Sequence, residues 1–320
     1  MAKERRKKGR LGCFSLVLLL GFIGVFCVAG YNFTTELRGM MKERNAFDGL
    51  AKQVHAARQA AVDAAAAPES ANAAPAGQQG APEPTGAVPP GQQGAPESAE
   101  TTASPERQGE QESSVGGEPA ELIEPTPRTI LPEYAELAAQ NEDFYGWVYI
   151  EDTPIDYPVM YTPEDPEYYL HRAFDRSYSF SGVPFMGGSC FEGCVNPILY
   201  GHDMRNGTMF AALLKYADEA FWMEHPVVQF DTLYEHGTYE VMAAFRSRVY
   251  KASEKGVFRY YDYYDLTDPE LFDEYVEQVQ KAALYDTGIT AEYGDELRTM
   301  STCAYHTDDG RFVIVARRVS

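Results

Sequence analysis

The sequence is poor in the residues that several common functions require. Five cysteines in 320 residues are too few to staple a small disulfide fold. No zinc-ribbon spacing and no glycine-rich phosphate loop occurs, so neither a structural zinc nor a nucleotide cradle has a motif here. Basic residues are scarce as well, 27 Lys and Arg against 48 Asp and Glu, for a net charge of −21. Six of the basic side chains crowd into residues 1–10 beside a single acid, Glu4, so that tail carries +5 and the rest of the chain −26. A body that acidic repels phosphate backbones, which excludes nucleic acid as its partner. The length leaves room for one or two domains with a substantial core.

What is present is strongly zoned. Residues 11–33 carry no charge and are rich in Leu, Val, Phe and Ile. About 20 such residues make a helix long enough to span a bilayer. The preceding basic cluster predicts a cytoplasmic N-terminus, a single-pass cell-membrane anchor and an extracellular remainder. The run outlasts a usual signal-peptide core, which argues against cleavage. Residues 34–66 mix charged and apolar positions at helical spacing and end in alanines, which predicts a solvated, membrane-proximal helical stalk. Residues 67–127 shift to Ala, Pro, Gly, Gln, Glu and Ser, and repeat Gly-Gln-Gln-Gly-Ala-Pro-Glu at 77–83 and 91–97. That composition cannot bury enough apolar surface to order itself, so it reads as a disordered linker. The folded domain is then 128–320, expected to stand without the preceding segments because none of them supplies core.

Within that domain, 132–140 reads as a short helix. Strands are expected at 146–150, 155–159, 198–200, 227–234 and 239–250, and in a terminal hairpin of 297–306 and 311–319. Asp268-Pro269 has the form of an N-cap followed by proline at the first helical turn. Leu271, Phe272, Tyr275, Val276, Val279 and Ala283 continue that helix, and Gly288 is its expected stop. Many short strands with one late helix predict a mainly β fold, a barrel or sandwich decorated by helices.

Three side chains carry possible chemistry. Cys303 ends Thr299-Met300-Ser301-Thr302-Cys303, His202 follows an apolar strand in Tyr200-Gly201-His202-Asp203-Met204, and Arg311 opens the last strand. Taken singly, a strand cysteine is most often a small core residue and a loop histidine a surface one. Together the three resemble a sortase, a cysteine transpeptidase. The resemblance extends to Asn141-Glu142-Asp143-Phe144-Tyr145-Gly146-Trp147, to Ile155-Asp156-Tyr157-Pro158-Val159 and to Asn196-Pro197-Ile198-Leu199-Tyr200-Gly201-His202-Asp203-Met204 around the histidine. The first two blocks and the long helix before the cysteine look like class B.

The resemblance implies a closed barrel of about eight strands, with an N-terminal helix and a long helix before the cysteine strand. It implies an enzyme without cofactor or metal that cleaves a C-terminal sorting motif of exported proteins after threonine. Cys303 would form the thioacyl intermediate, His202 would move the protons, and Arg311 would hold the substrate oxyanion, with Thr302 helping to position it. The acceptor would be an amine of a peptidoglycan precursor, or a pilin lysine. Met300 stands where leucine is usual. The segment Gly187-Gly188-Ser189-Cys190-Phe191-Glu192-Gly193-Cys194 departs from the family pattern, and its two cysteines are open to a disulfide, two free thiols or part of a metal site. His306, three residues past Cys303 on the same strand, points to the opposite face and is not the expected base.

Rival readings are weaker. Papain-like enzymes place cysteine before histidine, and Ser301-Thr302-Cys303 lacks the glycine of an L,D-transpeptidase signature. A wall-spanning binding protein with a merely packed Cys303 is the non-enzymatic alternative. If Arg311 serves the same site as Cys303, side-chain alternation requires an odd loop of at least 306–310. Cys303 would then face Val313 and Tyr305 would face Arg311, with Phe312 and Ile314 on the far side.

Overall fold

The computed structural model describes residues 12–66, 128–191 and 193–320. The basic tail at 1–10 and the linker at 67–127 lie outside the described residues. In chain order the elements are α1 (Gly12–Ala66), α2 (Pro132–Gln140), β1 (Phe144–Tyr149), β2 (Asp156–Met160), β3 (Phe185–Met186) and β4 (Ile198–Tyr200), followed by α3 (Glu219–Glu224), β5 (Val227–Thr232), β6 (Thr238–Arg248), α4 (Pro269–Ala282), β7 (Leu297–Cys303) and β8 (Gly310–Arg318). The strands close into a barrel in the order β1-β2-β3-β4-β7-β8-β6-β5, so the mainly β, eight-stranded expectation holds.

Local chemistry explains the elements that matter for the site. Asp268 caps α4 by accepting from Glu270 N at 2.8 Å and Leu271 N at 3.2 Å. The helix ends at Ala282, well before Gly288, because Ala283 turns to an extended conformation and Leu284 N donates to Ala244 O of β6 at 2.9 Å. Phe272, Tyr275, Val276 and Val279 form its buried stripe against the barrel. Tyr275 Oη meets Thr299 Oγ1 at 2.7 Å, and Tyr260 Oη meets Ser301 Oγ at 2.7 Å. The β7 face bearing Thr299, Ser301 and Cys303 is therefore roofed by tyrosines along its first two positions. Cys303, the last, is only partly buried.

Two expectations for the N-terminal half are corrected. Among the described residues no helix is long and apolar enough to cross a membrane. The expected membrane span at 11–33, with its cytoplasmic N-terminus and extracellular domain, is overturned by that finding.

Nor is the later part of α1 a solvated stalk. Phe47, Ala51 and Val54, spaced by four and three residues on one helical face, are buried in the barrel's core cluster. Phe47 meets the Tyr157 ring edge-on at 5.5 Å. His55 Nε2 lies 2.9 Å from Asp156 Oδ2. Arg58 hydrogen-bonds both Tyr134 and Asp231 and stands 3.6 Å from Glu133 Oε1. Glu43 accepts from Phe180 N at 2.8 Å and Ser181 Oγ at 2.7 Å. The premise that nothing before the linker supplies core fails at these contacts.

Candidate active site

Strand register brings the three candidate residues to one level. β4 and β7 run parallel, with Tyr200 beside Ser301. Two residues further along each chain, on the same face, come His202 and Cys303. Gly201 N donates to Ser301 O at 3.2 Å, and Thr302 Oγ1 donates to Gly201 O at 2.8 Å, continuing the strand contact to the histidine. On the other side β8 runs antiparallel to β7, with Cys303 directly opposite Arg311. Ala304 N donates to Gly310 O at 3.0 Å, which makes Cys303 and Arg311 the neighbouring non-hydrogen-bonded pair. Such pairs have Cα atoms about 4.5 Å apart. His202, Cys303 and Arg311 all line one cavity of about 570 Å³.

The hairpin parity is the expected one, since the loop between the pair is 304–310, odd in length, and Phe312 and Ile314 sit opposite Thr302 and Met300 on the other face. The register itself differs by two residues. Val313 faces Ser301 rather than Cys303, because Tyr305 and His306 belong to the turn and not to β7. His306 is exposed in that turn. Thr302 has its hydroxyl proton committed to Gly201 O.

The imidazole of His202 is held from both sides. Nε2 lies 2.9 Å from Leu170 O, and since a carbonyl only accepts, Nε2 carries the proton in this contact and Nδ1 is left for a reacting group. His171 stacks on the ring at 5.4 Å between centroids, and Phe180 stacks on His171 at 6.5 Å. The blocks quoted from the sequence hold this cradle in place. Asn141 Nδ2 donates to Tyr169 Oη at 2.8 Å, and Tyr169 Oη donates to Asp143 Oδ2 at 2.7 Å, fixing the short 3₁₀ turn Tyr168–His171 that presents the Leu170 carbonyl. Met209 N donates to Tyr157 Oη at 3.1 Å, and Phe210 N to His202 O at 2.9 Å, closing the loop behind the histidine. Leu170 and His171 were not singled out in the sequence. A backbone carbonyl leaves no side-chain signal, and His171 carried no motif of its own.

Arg311 Nη1 donates to Gly310 O at 3.0 Å and to Asp309 O at 3.3 Å, so the guanidinium is anchored at the rim by its own turn. Cys190 and Cys194 are buried and free, which removes the disulfide from the open alternatives in this state. No cluster that could hold a metal ion occurs among the described residues.

Burial lowers the pKa of His202, opposed by the Leu170 carbonyl and reinforced by His171. With the folded pKa below the ordinary value of 6.5, the unfolded chain binds more protons between the two. The stabilising contribution is thus present above about pH 6.5 and lost as pH falls through the folded pKa. Between pH 7.5 and 5.5 the wild-type chain is expected to lose more thermal stability than His202→Gln. Parallel melting-temperature slopes for the two would show that this imidazole does not titrate there.

No protein-family model matches the chain. It is 30% identical over 195 residues to sortase B of Listeria monocytogenes, an alignment that covers 60% of this chain and 76% of that protein. The family is thereby decided. The chain belongs to the sortase B family. Sortase B of Staphylococcus aureus is 27% identical, with 59% and 75% of the two chains covered. A crystal structure of sortase B from B. anthracis superposes with a TM-score of 0.52 at 30% identity, over 60% of this chain and 84% of that one. The class B resemblance drawn from the sequence is borne out, and the chain is a cysteine transpeptidase.

Proposed function

We propose that this sortase B acts through Cys303, His202 and Arg311, with Cys303 as nucleophile. The thiolate attacks the carbonyl of the threonine in a C-terminal sorting motif. Arg311, opposite Cys303 across the hairpin, donates hydrogen bonds to the oxygen as negative charge develops on it. His202, protonated at Nδ1, gives its proton to the departing amine and leaves the threonine as a thioester on Cys303. An incoming amine then loses its proton to the same nitrogen and displaces the thiol. Thr302 acts by holding Gly201, and through it the histidine strand, in line with β7. The acceptor under this reading is an amine of a cell-wall precursor, and the catalytic unit is the 128–320 barrel with α1 docked on it.

The observation that carries this reading is the common level of the three side chains across β4, β7 and β8 in one cavity. Incubating the full chain with a labelled sorting peptide and no amine acceptor is expected to give a thioester, located by mass spectrometry on Cys303. Label on another residue, or none with peptides spanning the known range of sorting motifs, would remove the assignment.

A further inference from the structure

The segment between β3 and β4 brings a second pair of sulfur atoms together. Cys190 N donates to Gly187 O at 3.0 Å and Cys194 N donates to Phe191 O at 3.1 Å. These two turns bring the thiols within hydrogen-bonding reach of each other. Cys190 is further fixed by Ile198 N, which donates to its Sγ at 3.3 Å, and by Tyr161 Oη, which donates to its carbonyl at 2.6 Å. Both residues are nearly sealed, 3% and 5% exposed, yet each borders a different opening. Cys194 lines a cavity of about 330 Å³ beside Arg298 and Tyr145. Cys190 lines the cavity of Cys303.

The two sulfurs are not equivalent. Donation to Cys194 and then burial push the Cys190 thiol far above the ordinary range. The same hydrogen bond holds Cys194 below it, burial opposes that, and the Phe191 N–H and the Arg298 guanidinium add to the lowering. Arg298 is itself 5% exposed, lines the same cavity as Cys194, and its charge lowers the pKa of both sulfurs. A thiolate-prone sulfur beside a proton-holding one is the arrangement that thiol–disulfide exchange requires.

We propose that Cys190 and Cys194 form a thiol–disulfide exchange site, closed by a small-molecule disulfide that enters on the Cys194 side. The Cys194 thiolate attacks one sulfur of the reagent, forming a mixed disulfide and expelling the first thiolate. Cys190 yields its proton to that thiolate and attacks the Cys194 sulfur, forming the protein disulfide and expelling the second. Two electrons pass to the reagent, which leaves as two thiols. The bond would tie down the 187–190 wall of the Cys303 cavity.

The test uses the full chain carrying Cys303→Ala, treated with glutathione disulfide or with dithiothreitol, then alkylated and digested with trypsin. The fragment 177–205 contains Cys190 and Cys194 and no other cysteine. After glutathione disulfide it is expected unalkylated and about 2 Da lighter than its reduced form, and after dithiothreitol doubly alkylated. Recovery of a doubly alkylated fragment, or of glutathione on both cysteines, after the oxidant would overturn the proposal. Cys190→Ser should trap glutathione on Cys194, whereas Cys194→Ser should leave Cys190 unlabelled. The reverse pattern, or no trapping in either, would overturn it as well. The readout is a mass and not a turnover, so it stands or falls independently of the acyl-transfer assignment.

Discussion

His202→Ala is expected to lower kcat/KM for peptide transfer by about 10²–10⁴-fold, the usual worth of a positioned acid and base. Arg311→Ala should cost about 10²–10³-fold, the range seen when one oxyanion donor is removed. Cys303→Ala should abolish the thioester altogether, since no other described cysteine lies level with His202 and Arg311. The comparison that matters is with His306→Ala. That side chain is exposed in the 304–310 turn, outside the β7 ladder, and its loss should change kcat/KM by less than about twofold. Steady-state kinetics with a sorting peptide and an amine acceptor would decide. An inactive His306→Ala beside an active His202→Ala would require a different acid and base, and the Nδ1 assignment would go with it.

The second large effect is expected far from the cavity. Asp231 and Glu133 have side chains only 5% and 4% exposed, and Arg58 of α1 reaches both. Tyr134 Oη donates to Asp231 Oδ2 at 2.7 Å, and His236 Nδ1 lies 3.0 Å from the same oxygen, but His236 is 59% exposed. Arg58→Ala would leave two buried carboxylates without the guanidinium that reaches both. Removing one member of such a set costs about 3–5 kcal/mol when all members are buried, and about 2–4 kcal/mol is a fair figure with Arg58 itself 22% exposed. For a domain of this size the melting temperature of the full chain should fall by about 5–15 °C, measured by circular dichroism. An unchanged transition would mean that α1 does not hold to the barrel in solution. The same contacts explain why a fragment beginning at 128 should be less stable than the full chain, since it uncovers the surface that Phe47 and Val54 occupy.

The site was legible in the sequence because Cys303 ends β7, Arg311 stands at the start of β8 and His202 follows β4 by two residues. β4 and β8 carry apolar runs of three residues or more, and the cap of α4 is written in Asp268-Pro269. What escaped has physical reasons. β3 has two residues, too few to show a period of two. Among the described residues the buried apolar positions of α1 are Phe47, Ala51 and Val54, with Leu50 packed beside them, and Arg58, its strongest anchor, looks like a solvent-facing charge until its partners are folded around it. The hairpin register depended on where β7 stops. Gly310 closes the turn so tightly that a Cβ there would come within 2.1 Å of Ala304 O, and Asp309 before it takes a φ of +54°. Neither constraint shows in the apolar pattern, so the expected strand ran through Tyr305 and His306 where the chain already turns.

The closed order of the strands has a consequence for how a peptide is read. β7 gives one edge to β4 as far as Ser301 and the other to β8 as far as Cys303, so neither edge is free along Thr299–Ser301. An extended peptide cannot add to β7 along that length and gain sequence-blind main-chain bonds in the way of strand-adding domains. Its discrimination must come from contacts between its own side chains and those that wall the cavity.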